Sequence, residues 1–259
     1  MKTIRLHAVE KRFPNGCLAL RGISLDIEPG TFTVILGPSG AGKSTLLRMF
    51  NGLEVPTRGQ VEMGGRTLDR SSLRRLRGQV GMVFQQFNLV GRLSVMTNVL
   101  TGRLAYRSWL GSLLYLFRRE DIAIAQEALE RVGLTEKAWE RADRLSGGQQ
   151  QRVGIARALA QQPKIILADE PVASLDPVAS DDIMQLLRDI CDRDGITVLA
   201  NLHQVEHARR HADRIVGLNN GTVVFQGTPR ELDAISLERI YHREGAQHEE
   251  AFAPALAYA

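Results

Sequence analysis

The run Gly37-Pro38-Ser39-Gly40-Ala41-Gly42-Lys43-Ser44-Thr45 follows a β-branched and aromatic stretch, Thr31-Phe32-Thr33-Val34-Ile35-Leu36, and leads into a helix-like segment, Ser44–Asn51. It matches G-x-x-x-x-G-K-[ST] in the strand–loop–helix setting that gives the pattern its meaning. The glycines let consecutive backbone N–H groups turn inward around phosphate oxygens. The helix that follows points its positive end at the same charge. Residues Gly37 to Thr45 are therefore expected to cradle the phosphates of a nucleotide, with Lys43 reaching the β- and γ-phosphates and the Ser44 hydroxyl on Mg²⁺. A fold that can hold such a loop needs an α/β sheet with this strand inside it.

The rest of the chain supplies that sheet. Residues 3–9, 18–27 and 31–36 read as strands separated by Asn15-Gly16 and Pro29-Gly30 turns. Gln60–Met63 and Val80–Phe84 read as two more. From about Leu93 to Ala160 the strand signals vanish, and Ile122, Ala125, Leu129 and Val132 recur at helical spacing. Beyond that insert, strands at Ile165–Ala168, Thr197–Leu202 and Arg214–Leu218 alternate with helices at Pro177–Asp194 and Glu206–His211. The alternation predicts a mostly parallel sheet covered by helices on both faces. Asn219-Asn220-Gly221 reads as a hairpin turn into Thr222–Phe225. The expected organisation is one domain over 1–243 with a helical subdomain inserted at about 90–160. An Ala-rich tail, 244–259, is expected to be partly disordered.

Three further places carry chemistry. Ile165-Ile166-Leu167-Ala168-Asp169-Glu170 is an apolar strand ending in two carboxylates, and ligands gather at the carboxyl ends of parallel strands. Asp169 is the candidate Mg²⁺ partner and Glu170 the candidate general base for an attacking water. Gln85 and His203 each end a predicted strand. An amide at Gln85 could touch the metal or the water; an imidazole at His203 could hydrogen-bond a γ-phosphate and sense its loss. Taken singly, a Gln or His at a strand end is more often an ordinary surface or structural residue. Leu145-Ser146-Gly147-Gly148-Gln149 is a second Gly-rich, Ser-bearing helix start, which suggests a nucleotide gripped from two sides.

Bulk properties set the class. The 259 residues carry a net charge of +4, 44% hydrophobic and 24% charged residues, as in an ordinary soluble globular protein. Cys17 and Cys191 have neither zinc spacing nor a redox motif, and a reducing compartment is expected. The start, Met1-Lys2-Thr3-Ile4-Arg5, lacks a secretory signal. The longest apolar patch, Trp109–Phe117, is broken by Gly111 and Ser112 and falls short of the ~20 residues a spanning helix needs. The chain is not expected to cross a membrane alone. The basic segment Arg70–Arg77 has no interleaved aromatics, so no nucleic-acid partner is expected.

Taken together over roughly residues 3–235, these motifs resemble the nucleotide-binding subunit of an ATP-binding-cassette (ABC) transporter. Gly37–Thr45 resembles the Walker A loop, Gln85 the Q-loop, and Leu145–Gln149 the family signature. Ile165–Glu170 resembles Walker B, Ser174-Leu175-Asp176 the D-loop, and His203 the switch histidine. The resemblance implies a P-loop NTPase core with an N-terminal antiparallel β part. It places Phe13 where the family stacks an aromatic, more often Tyr, on adenine. It also implies a head-to-tail homodimer holding two ATP, with Ser146, Gly147, Gly148, Gln149 and Asp176 at the nucleotide and Ser146 serving the partner's ATP. Members that belong to importers lack spanning helices of their own, which the absence of one here fits. They dock on two permease subunits at the cytoplasmic face of the cell membrane, supplied indirectly by an extracytoplasmic solute-binding protein.

Val172-Ala173-Ser174, Gln204 after the switch histidine, and the long insert from Thr101-Gly102-Arg103-Leu104 through Trp109 to Leu116-Phe117 look like the ATP-binding subunit of phosphonate importers. Alternatives stay open: an importer for another solute, or a non-transport cassette acting on ribosomes or nucleic acid. A small-molecule kinase would have no use for the signature. A module without turnover would have no use for Glu170.

Overall fold

The computed structural model describes residues 4–63, 65–68, 77–106 and 117–242. Trp109, Leu116, the tail 244–259, and Arg70, Arg74 and Arg75 lie outside them. Arg77 is described, and its guanidinium donates to the Gly52 carbonyl at 2.9 Å.

Two sheets form the α/β core. The antiparallel sheet has the order β2-β1-β4-β5, from β1 (Ile4–Arg12), β2 (Leu18–Ile27), β4 (Arg58–Met63) and β5 (Arg66–Thr67). The second has the order β10-β9-β3-β8-β7-β6, from β3 (Phe32–Leu36), β6 (Val80–Val83), β7 (Ile165–Asp169), β8 (Thr197–Leu202), β9 (Arg214–Asn219) and β10 (Thr222–Gly227). All its pairings are parallel except β9–β10. β3, β7 and β8 are buried along their whole length. That is why they read as continuous apolar runs rather than alternating ones.

Alternate residues of these strands feed two cores. Ile165, Leu167, Ile35 and Leu199 pack on one face with Leu46, Leu47 and Phe50 of α1 (Lys43–Phe50) and with the antiparallel sheet. Ile166, Ala168, Val34 and Val198 pack on the other face, against the remaining helices. The inserted helical part holds α2 (Val95–Leu100), α3 (Arg119–Arg131) and α4 (Gly147–Ala160). Ala125, Leu129 and Val132 of the predicted stripe are at most 1% exposed, and Ile122 packs against them half-buried. Arg103 and Asp121, 6% and 4% exposed, form a buried ion pair at 3.0 Å within this part. α5 (Pro177–Asp194), α6 (Val205–His211) and α7 (Ala234–Tyr241) complete the chain.

The differences from expectation are local. β1 runs on to Arg12 through register shifts at a bulge, where Ala8 has φ 44°. β4 begins at Arg58 and β10 continues to Gly227, and the two-residue β5 carries no periodicity that a sequence could show. Asn220 and Gly221, with φ 48° and 75°, form the two-residue turn between Asn219 and Thr222. Both positive angles suit a type I′ hairpin. No helix among the described residues is long and apolar enough to cross a membrane.

Candidate functional site

The parallel order β3-β8-β7-β6 brings four chain segments to one edge. The loop after β3, Glu170 after β7, His203 after β8 and Gln85 after β6 all leave carboxyl ends of neighbouring strands. The loop's glycines are set by close packing. A Cβ on Gly37 would lie 2.1 Å from the Leu218 carbonyl oxygen. Gly42 has φ 100°, and its Cβ would lie 2.5 Å from the Ala19 carbonyl oxygen. The hairpin tip braces the same loop: Gly221 N–H donates to Ala41 O at 3.1 Å, and its carbonyl accepts from Arg21 N–H at 2.8 Å. Pro38, Ser39, Gly40 and Ala41 border an open cleft of about 970 Å³.

Lys43 is 4% exposed, and its ammonium donates to the Gly37 and Pro38 carbonyls at 2.8 and 3.1 Å. Burial pulls its pKa down, while the nearby Glu170 and Asp169 carboxylates push it up. Thr45 follows within α1. The Ser44 hydroxyl donates to Asp169 Oδ1 at 2.9 Å, and Asn201 Nδ2 donates to the same oxygen at 2.8 Å. Asn201 is fully buried, in register with Asp169 across β7 and β8. Its own Oδ1 has no partner among the described residues. Sequence reasoning passed over it. The signal was one amide inside the otherwise apolar run Thr197–Leu202.

Glu170 has φ 49°, an uncommon angle for a residue with a Cβ and one that concentrates at working sites. This aims its carboxylate at His203, whose Nε2 lies 2.7 Å from Oε1. Tyr241 in α7 donates its hydroxyl to the His203 carbonyl at 3.1 Å. Gln85 lies two residues past the end of β6, in an exposed turn. The segment after it is tied to α4, because Arg157 donates to the Phe87 carbonyl at 2.9 Å and the Asn88 carbonyl at 2.5 Å.

Among the described residues, the other predicted residues make no hydrogen bond or ion pair with this cluster. Ser146 is the exposed N-cap of α4; its hydroxyl accepts from Gln149 N–H at 3.3 Å, and Gln149 Oε1 accepts from Ser146 N–H at 3.1 Å. This reciprocal box fixes the helix start. A Cβ on Gly147 would sit 3.3 Å from Leu175, and one on Gly148 3.2 Å from Ala179, so small residues let α4 approach α5. Asp176 caps α5 by accepting from Ala179 N–H at 2.9 Å. Among the described residues no hydrogen bond or ion pair joins Leu145–Gln149 to Gly37–Thr45. Phe13 sits half-buried in the β1–β2 turn with the Lys11 ammonium 5.1 Å from its ring centre.

Residues 20–173 match the family model described as ABC transporter. The chain is 68% identical over 259 residues, all of both chains, to the phosphonates import ATP-binding protein PhnC of Thiobacillus denitrificans. It is 55% identical over 239 residues to the phosphite import ATP-binding protein PxtA of Stutzerimonas stutzeri, covering 92% of this chain and 86% of the relative. A dimeric, post-hydrolysis ATP-binding cassette bound to ADP and Pi superposes with a TM-score of 0.76 at 38% identity, over 88% of this chain and all of that one. By the family match over residues 20–173 and the full-length similarity to an import ATP-binding protein, the chain belongs to the ABC transporter family and is one of its ATP-binding subunits.

Proposed function

We propose that this chain hydrolyses ATP to energise uptake of phosphonates, or a related oxyanion, through a membrane importer. The observation that carries the catalytic half is the 2.7 Å contact between His203 and Glu170 beside the phosphate loop. Glu170 accepts a proton from the water that attacks the γ-phosphorus. His203, held to Glu170 when the site is at rest, turns to donate to the γ-phosphate. Lys43 leaves the Gly37 and Pro38 carbonyls for phosphate oxygens, which exchanges neutral acceptors for charged, stronger ones. The backbone of Gly37–Thr45 orients the triphosphate, and Phe13 stacks on the base.

Ser44 Oγ and Asp169 Oδ1, 2.9 Å apart, are hard oxygen donors that suit Mg²⁺, with Gln85 as a further oxygen. The ion, when bound, would neutralise part of the phosphate charge. Asn201 fixes the carboxylate that faces it.

Two copies close around two ATP molecules. The start of α4 carries the exposed Ser146 side chain and the Gly147 and Gly148 N–H groups, and in this reading the Ser146 hydroxyl and those two N–H groups complete the partner's γ-phosphate site. Asp176 and Gln149 brace that surface by capping α5 and α4. The pair docks on two permease subunits at the cytoplasmic face of the membrane, fed by an extracytoplasmic solute-binding protein.

The cargo assignment is supported by the relatives' names and by Val172–Ser174, Gln204 and the insert after Thr101. Phosphite is the second reading, favoured by the 55% identical relative. Deleting the gene should abolish growth on a phosphonate as sole phosphorus source and spare growth on phosphate. Loss confined to phosphite would select the second reading, and unimpaired growth on both would refute the two together.

A further inference from the structure

Away from the nucleotide site, three side chains with metal-ligating atoms converge between α5 and α6. One ligand atom each of Asp181, His207 and His211 lie within 4.8 Å of one another. His207 Nδ1 stands 3.4 Å from Asp181 Oδ1. That is close to the edge of a tetrahedron with metal–ligand bonds of ~2.0–2.1 Å. The histidines are one helical turn apart, so α6 presents both imidazoles on one face.

An ordinary helix–helix ion pair would account for Asp181 and His207. It does not account for His211, which is 3% exposed and whose Nε2 has no hydrogen-bond partner among the described residues. A buried imidazole nitrogen without a partner calls for an explanation, and an unassigned ion is one of the standard ones.

We infer that Asp181, His207 and His211 form a binding site for a divalent late transition-metal ion, with Zn²⁺ the best match to two imidazoles and one carboxylate. Three protein ligands leave a fourth position open, and half-buried Asp181 gives the entry path. Arg210, 3.1 Å from Asp181, is the competitor and must swing away when the ion binds. α6 begins two residues after His203, and Asp181 lies one turn into the helix that Asp176 caps. The ion would therefore clamp together the two helices that leave the Glu170 and His203 ends of the sheet.

The test is a Zn²⁺ titration of the full chain, purified without a histidine tag, in competition with a chromophoric chelator. One equivalent of Zn²⁺ should bind, and the melting temperature should rise by about 5–10 °C at a hundredfold excess over Kd. His207→Ala and Asp181→Asn should each weaken binding at least ~10-fold. Cys17→Ser and Asp169→Asn should leave it unchanged, which separates this site from the exposed thiol and from the nucleotide's metal. Metal-free melting of each variant shows that it is folded, and the visible spectrum of bound Co²⁺ reports the ligands directly. No stoichiometric binding, or binding that survives both His207→Ala and Asp181→Asn, would overturn the inference.

Discussion

Replacing Asn201 with Leu separates the fold from the chemistry. Asn201 is fully buried in β8 and donates to Asp169 Oδ1 at 2.8 Å. Removing a hydrogen bond to a charged acceptor costs about 1.5–3 kcal/mol. The same substitution also removes an Oδ1 that has no partner among the described residues, which relieves a desolvation penalty of about 1–3 kcal/mol. Leucine is of similar size, so no large cavity opens. The two terms oppose each other, and urea unfolding should place Asn201→Leu within about 1 kcal/mol of the parent. Catalysis has no such compensation. Among the described residues the Asp169 oxygen keeps only the Ser44 hydroxyl, at 2.9 Å, and is freer to turn. If most of the lost hydrogen bond is felt in the transition state, kcat/KM for Mg-ATP falls by about 10- to 100-fold, since 1.4 kcal/mol is a factor of ten. The Mg²⁺ concentration for half-maximal rate should rise with it. Parental ATPase activity in a normally folded Asn201→Leu chain would refute the reasoning. So would a stability loss above about 3 kcal/mol, because the two buried terms would then not offset.

Three other outcomes are expected. Arg103→Met should destabilise the chain by about 3–5 kcal/mol in urea, because it withdraws the guanidinium from a carboxylate that is only 4% exposed. Gly42→Ala should abolish nucleotide binding in a fluorescence titration, since its Cβ would lie 2.5 Å from a backbone oxygen at φ 100°. A thiol reagent at neutral pH should label exposed Cys17 and spare Cys191 until urea is added. Cys191 is 1% exposed, and burial pushes its pKa up to about 11, so almost no thiolate is present.

The parts of the site legible in the sequence are those where backbone geometry dictates residue type. Gly37 and Gly42 cannot carry side chains against Leu218 and Ala19, and an apolar run ending in Asp169-Glu170 marks a buried parallel strand. Ser146 announces a helix start by the same logic of capping. The contacts between distant segments were not legible. Asn201 meets Asp169 only because β8 lies beside β7 in one register, and Glu170 meets His203 for the same reason. Strand order is a property of the whole sheet, and no local pattern encodes it. Gly221 bracing Ala41, and Arg157 gripping Phe87 and Asn88, act through backbone atoms, which leave no side-chain signature at the residues they hold. The extension of β1 past Val9 was hidden because its bulge breaks the alternation that marks a strand.

The central claim is that Glu170 removes the proton from the attacking water while Lys43, Ser44 and the glycines hold the nucleotide. Glu170→Gln keeps the shape and a hydrogen-bonding group and deletes the base. The direct measurement is single-turnover hydrolysis beside equilibrium ATP binding on the same preparation. The account predicts unchanged or tighter ATP binding, hydrolysis reduced by at least ~100-fold, and a dimer that persists in ATP during size-exclusion chromatography. Hydrolysis at the parental rate by Glu170→Gln would contradict it.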